Sequence, residues 1–124
     1  MSQGEDYSFG EKYRLKGRRA FACVFDRKCS AADAKLLVFV HRNSVGHPRL
    51  GLSVGRKHGG AVKRNRIKRL LREAFRLTRS QLPQEFDLVC VPRVRERVTL
   101  AEYMESLPKL AAQAAARWRT HDGW

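Results

Sequence analysis

The stretch KRNRIKRLLREAFRLTR, residues 63–79, constrains the fold more than any other part of the chain. Taking Arg64 as 0° and about 100° per residue, Ile67, Leu70, Leu71, Ala74 and Phe75 fall within roughly 240° to 380°. That is one contiguous apolar stripe, wide enough to dock the helix on a sheet. Asn65, Lys68, Arg69, Arg72, Arg76 and Arg79 fall between roughly 40° and 140°, with Arg66 near the far border and Lys63 preceding the stripe. The run holds one acid, Glu73. Solvated helix faces usually mix signs, because opposite charges four residues apart stabilise and like charges destabilise. Arg64, Lys68, Arg72 and Arg76 instead form a ladder of like charges at that spacing. A solvated face remains one reading. The other is a surface for a polyanion, which would reverse the sign of the repulsion by accepting the cations and releasing counterions.

The whole chain shares this bias. Its 124 residues suit one domain with a core of its own, and its formal net charge is +14 with a pI near 10.7. A charge of that size favours a nucleic-acid partner. The apolar fraction of 43% is that of a folded domain and excludes a disordered basic tail. No run approaches the length of a membrane span, and MSQGEDYSFG lacks the layout of a secretory signal, so a cytoplasmic location without membrane contact is expected. Cys23, Cys29 and Cys90 match no zinc spacing and read as reduced thiols. His41, His47, His58 and His121 are scattered, and His58, before a glycine pair, is expected in a solvated loop.

Residues 1–13 read as a flexible tail in which Tyr7, Phe9 and Tyr13 are candidates to dock. Residues 15–28 read as a helix, with Phe21, Val24 and Phe25 on one face. KLLVFVHR (35–42) is a buried strand, and NSVGHP (43–48) is turn chemistry. RLGLSVGR (49–56) alternates, with Leu50, Leu52 and Val54 opposite Gly51, Ser53 and Gly55. The short turn between these two strands predicts an antiparallel hairpin. The small-residue face admits two readings, close packing of a helix or the floor of a groove. EFDLVCVP (85–92) is a third strand. Thr99 and Glu102 form a capping box opening a final helix that Pro108 is expected to kink or divide. The order helix–strand–strand–helix–strand–helix predicts an α/β or α+β fold with one mixed sheet.

No Ser/His/Asp arrangement, two-metal acid cluster or phosphate-loop consensus is present, and Asp26, Asp33 and Asp87 stand alone. Among polyanions, a membrane surface would compete with the core for the apolar stripe, and a major-groove reader lacks its helix-turn-helix pairing. RNA is favoured, with Phe21, Phe25 and Phe39 either stacking unpaired bases or packing as core.

The run GLSVGRKHGGAVKRNRIKRLLREAF (51–75) resembles the signature of the protein component of bacterial ribonuclease P, with Arg64-Asn65-Arg66 as its hallmark. The likeness extends to RLK (14–16) and to Phe21, Val24 and Phe25, covering most of 14–107. It implies a small sandwich in the order α-β-β-β-α-β-α, like the second domain of ribosomal protein S5, with a left-handed strand–helix–strand crossover. A fourth strand is then missing from the reading above, and 33–41 or 49–57 is where it is expected. The resemblance implies one domain over 14–119, tails at 1–13 and 120–124, and an accessory subunit whose RNA partner performs tRNA 5′-end hydrolysis. No cofactor is expected on the protein itself, magnesium comes with the RNA, and no obligate protein partner is implied. Carried over to this chain, Lys57, Lys63, Arg64, Asn65, Arg66, Lys68, Arg69, Arg72 and Arg76 would face the catalytic RNA. Asn65 is the one able to read a base edge. Phe21, Phe25, Phe39 and Ser53 would line a cleft for the single-stranded 5′ leader of precursor tRNA. Gly60 stands where relatives often carry Asn. The rivals are a structural RNA-packing protein and a metal-dependent nuclease acting alone.

Overall fold

In the computed structural model, which describes residues 10–94 and 97–122, a four-stranded sheet is covered on both faces by helices. In chain order the elements are α1 (Arg18–Arg27), β1 (Ser30–Ala32), β2 (Leu36–Arg42), β3 (Arg49–Leu52), α2 (Ala61–Thr78), β4 (Phe86–Pro92) and α3 (Leu100–Asp122). This is the α-β-β-β-α-β-α order the resemblance implies. The strands lie side by side as β1-β2-β4-β3.

Two expectations about strands need correction. The segments 35–42 and 49–56 do not form a hairpin. β4 lies between them, antiparallel to β2 (Val38 opposite Cys90) and parallel to β3 (Leu50 opposite Leu88). Alternation defines which face a side chain takes, and it carries no information about the neighbouring strand. The hairpin partner of β2 is β1, which is the fourth strand and lies upstream of where it was expected. β3 and β4 are joined through α2, the parallel crossover unit that brings the basic helix back over the sheet.

Alternation along the strands sorts the core. Leu36, Val38, Val40, Leu50, Phe86, Leu88 and Cys90 meet the stripe of α2 (Leu71, Ala74, Phe75) and that of α3 (Leu107, Leu110, Ala111, Ala114). The opposite face carries Val89, with Phe39 and Val91 half-buried, and receives Val24 of α1 and Leu15. The predicted stripe of α2 is therefore its buried side.

α3 opens on its capping box. The Thr99 N–H donates to Glu102 Oε1 (2.8 Å), and the Glu102 N–H donates to Thr99 Oγ1 (3.2 Å). Pro108 does not divide this helix, which runs unbroken through it. Burial of Leu107, Leu110 and Ala111 on either side holds the turn that lacks one backbone donor. Helical backbone continues through 120–122, inside the expected C-terminal tail, while Gly123 and Trp124 lie outside the described residues. At the other end Tyr13 docks and is 8% exposed, so the folded part begins before residue 14. Tyr7 and Phe9 lie outside the described residues. Cys23 is exposed, and Cys29 and Cys90 are buried. No described helix is long and apolar enough to cross a membrane.

Candidate nucleic-acid interface

The stretch before α1 runs beside β3: Arg14 bridges Leu50, and the Leu15 N–H donates to the Leu50 carbonyl (3.0 Å). α1 then crosses the sheet and sets Phe21 directly over Gly51. A Cβ at position 51 would lie 2.6 Å from Phe21 Cζ and 3.0 Å from Cε2. Only glycine admits the ring so close, so the close-packing reading of the small-residue face holds at this position. Behind Phe21 the Phe25 ring lies 6.5 Å away, and Phe39 meets Phe25 edge-on at 4.9 Å. All three rings are half-buried, as is Ser53, whose N–H donates to the Cys90 carbonyl. The rings therefore serve as core on one side and present aromatic surface on the other.

The two flanks of α2 lead to different places. On one, Lys68 and Arg72 share a cavity of about 240 Å³ with Phe21, Leu50, Leu52, Arg14 and Lys16. Burial, and then repulsion from Arg14, pushes the Arg72 pKa down, so two cations are held together at the mouth of an aromatic surface. On the other flank, Lys63 and Arg66 share a cavity of about 290 Å³ with Lys57, His58 and Arg97. Between the flanks, Asn65 and Arg69 are exposed and Arg64 is half-buried. The structure thus groups Phe21 with Lys68 and Arg72, and Lys57 with Lys63 and Arg66.

Two members of the predicted cationic face behave differently. Arg76 pairs with Glu73, three residues back, which closes the like-charge ladder at its end. Arg79 is not on the face at all: it is 8% exposed and its guanidinium lies 3.8 Å from the centre of the Tyr13 ring. The helix gives way to a tighter turn at Arg79–Gln81, so the 100° projection fails there. His58 is likewise buried and not in a solvated loop. Sequence reasoning assigned no role to Arg14, Lys16, His58 or Arg97. Nothing in the local pattern signals that segments some 50 residues apart meet at one helix.

Asp87, isolated in sequence, accepts both Arg49 guanidinium donors (2.8 and 2.9 Å) and the Asn43 amide (2.8 Å), which is structural work at the far end of β4. No group of three or more His, Cys, Asp or Glu suited to a metal ion occurs among the described residues.

A model of the family described as ribonuclease P matches residues 9–115. The ribonuclease P protein component of Methylococcus capsulatus is 48% identical over 80 residues, spanning 64% of this chain and 62% of that one. That of Thermotoga maritima is 36% identical over 108 residues, 83% of this chain and 92% of the relative. The solved structure of the Thermotoga maritima protein superposes with a TM-score of 0.71 over 77% of this chain and 92% of that one, at 36% identity. A Staphylococcus aureus RNase P protein mutant superposes with a TM-score of 0.73 over 85% and 90%, at 30% identity.

Proposed function

Because the chain belongs to the ribonuclease P protein family, we propose that the crest and flanks of α2 bind the ribonuclease P RNA while the aromatic seam beneath α1 holds the 5′ leader of precursor tRNA. The chain is the accessory protein subunit of the ribonucleoprotein endoribonuclease that processes tRNA 5′ ends, and its partner is the ribonuclease P RNA. The observation that carries the finer reading is the shared cavity of Phe21 with Lys68 and Arg72. An unpaired base needs a flat apolar partner, and the phosphate beside it needs a cation. That cavity is lined by both.

The contribution to the reaction is differential binding. Cations on α2 lower the repulsion between two polyanions, the catalytic RNA and its substrate. A leader-specific contact adds affinity for precursor that mature tRNA does not enjoy, so product leaves more readily. Lys57, Lys63, Arg64, Asn65, Arg66, Lys68, Arg69 and Arg72 are assigned to RNA, with Arg76 secondary because of its Glu73 partner. Phe21, Phe25, Phe39 and Ser53 are assigned to the leader. We assign magnesium and the hydrolytic step to the RNA.

The test is cleavage of precursor tRNA at near-physiological magnesium by a bacterial ribonuclease P RNA, with and without this chain. Strong stimulation, with no cleavage by the chain alone, is expected. RNA binding without stimulation would favour a structural RNA-packing role, and cleavage by the chain alone would favour a protein nuclease.

A further inference from the structure

The cavity of about 290 Å³ on the far flank of α2 has an interior that its cations do not explain. Lys57, Lys63, Arg66 and Arg97 stand around it, and cations in such a place suit any RNA backbone. The rest of the wall is of another kind. Ile67, Val94, Val98 and Tyr103 make it largely apolar and partly aromatic. Val98 and Tyr103 belong to the core, whereas Val94 is 57% exposed. A single exposed valine is ordinary on a protein surface, but one that continues an apolar wall extends the surface a ligand can cover.

His58 supplies the polar element. Its side chain is 6% exposed and lines the same cavity. Burial, and then the charge of Lys57, lower its pKa, so near neutral pH the ring is neutral and carries a single N–H, which the Pro92 carbonyl takes. Nε2 is therefore a bare acceptor, and it is buried with no hydrogen-bond partner. The ring lines the cavity and Pro92 does not, which leaves the Nε2 edge as the one facing inward. Native proteins rarely bury an acceptor unpaired without a reason. An anion would be repelled by this lone pair, and an N–H donor would complete it. We propose that the cavity receives an unpaired nucleobase of the partner RNA, packed against Ile67, Val94, Val98 and Tyr103, with an amino or imino N–H of the base donated to His58 Nε2. A base is the ligand class that fits, because its faces stack on apolar and aromatic groups while its edge carries N–H donors. His58 is then a specificity-determining residue that contributes no charge of its own.

The inference rests on the RNA-binding reading for the source of the base, and the test separates the two. The full-length chain, labelled with ¹⁵N, is titrated at constant ionic strength with the four ribonucleoside 5′-monophosphates. The tightest binder is then compared with its analogue that lacks the amino group or carries a methyl on the imino nitrogen. Saturable shifts at residues 57–59, 66–67 and 97–98 are expected, with the parent bound about fivefold more tightly than the analogue, the worth of one hydrogen bond. His58→Leu, apolar and without an acceptor, should bring that ratio to about one. Val94→Ser, a change at an exposed position, keeps the proposal testable should His58→Leu not fold, and it should weaken parent and analogue alike. No saturable binding by any of the four, or equal affinity of parent and analogue for the unaltered chain, overturns the pocket. With ribonuclease P RNA, His58→Leu should lower affinity about fivefold and leave the log–log salt slope unchanged, because a neutral ring releases no counterion. An unchanged affinity, or a reduced slope, overturns the assignment to an RNA base. Absence of RNA binding by the unaltered chain would instead overturn the RNA-binding reading, and with it the source of the base, whatever the nucleotide titration gives.

Discussion

Gly51 and Phe21 form the smallest unit in which packing and function meet. Adding a methyl at position 51 places it against the far edge of a half-buried ring. Overpacking usually costs about 1–3 kcal/mol, and because the contacted atoms are the far end of a half-buried side chain the cost is near the lower end. Gly51→Ala is therefore expected to lower stability by about 1 kcal/mol while displacing the aromatic surface proposed for the leader. Paired binding titrations should show precursor tRNA losing affinity and mature tRNA keeping it. A large fall in Tm with an unchanged precursor preference would make the contact purely structural. Two arginines ten residues apart, Arg69 and Arg79, make the same distinction. Exposed Arg69 on the crest of α2 should, as Arg69→Ala, reduce the salt slope of RNA binding by about 0.7 to 1. Arg79, stacked on Tyr13, should leave that slope alone as Arg79→Ala and cost about 1–3 kcal/mol in urea unfolding.

At the level of elements, the β1–β2 hairpin is tied to α3 through one carboxylate. Asp33 accepts the Lys35 N–H (2.8 Å), the Leu36 N–H (3.0 Å) and the Ser106 hydroxyl (2.7 Å), with Lys109 at 3.3 Å. Burial raises its pKa, but these hydrogen bonds together outweigh burial and hold it at about 2. A depressed carboxyl stabilises the fold above its unfolded pKa, near 3.8, and that stabilisation is lost as pH falls through 2. At roughly 1.4 kcal/mol per pKa unit, the contribution at neutral pH is about 2 kcal/mol. Asp33→Asn should show that deficit in urea melts at pH 7, with the gap closing between pH 4 and pH 2. A gap independent of pH would mean the carboxylate charge contributes nothing. None of this was legible in the sequence, where Asp33 and Ser106 are 73 positions apart. What was legible followed a repeat: the stripe of α2, the box at Thr99 and Glu102, and the alternation of β2. Leu71, Ala74 and Phe75 are buried because a period of 3.6 states which side of a helix faces inward. The place of β4 between β2 and β3 was hidden because strand neighbours are chosen over long separations. β1 was hidden because three residues do not establish an alternation. In the interface, the aromatic rings and the crest of α2 were visible as residue types. The second flank was hidden because His58 and Arg97 reach it from separate segments.

For the molecule as a whole, the decisive quantity is the net charge of +14 on 124 residues. Self-repulsion on that scale opposes compaction, and it is concentrated on the free faces of α2 because the buried stripe fixes which side looks outward. Glu73, the one acid within α2, is already engaged by Arg76. The fold is thus built to be completed by a polyanion, and salt should act on its two properties with opposite sign. The screening length shrinks from more than 10 Å below 0.1 M salt to about 3 Å at 1 M. Cations spread along α2 and its flanks then repel each other less, so the Tm of the free chain should rise as sodium chloride is increased. Over the same range the affinity for ribonuclease P RNA should fall steeply, because counterions released on binding must be returned to a more concentrated solution. Thermal melts of the free chain, run beside RNA titrations in identical buffers, check both halves. A Tm that falls with salt would mean that the ion pairs of Arg49 and Arg76 outweigh the excess of positive charge. An RNA affinity indifferent to salt would mean that shape and stacking, not the cationic faces of α2, hold the RNA.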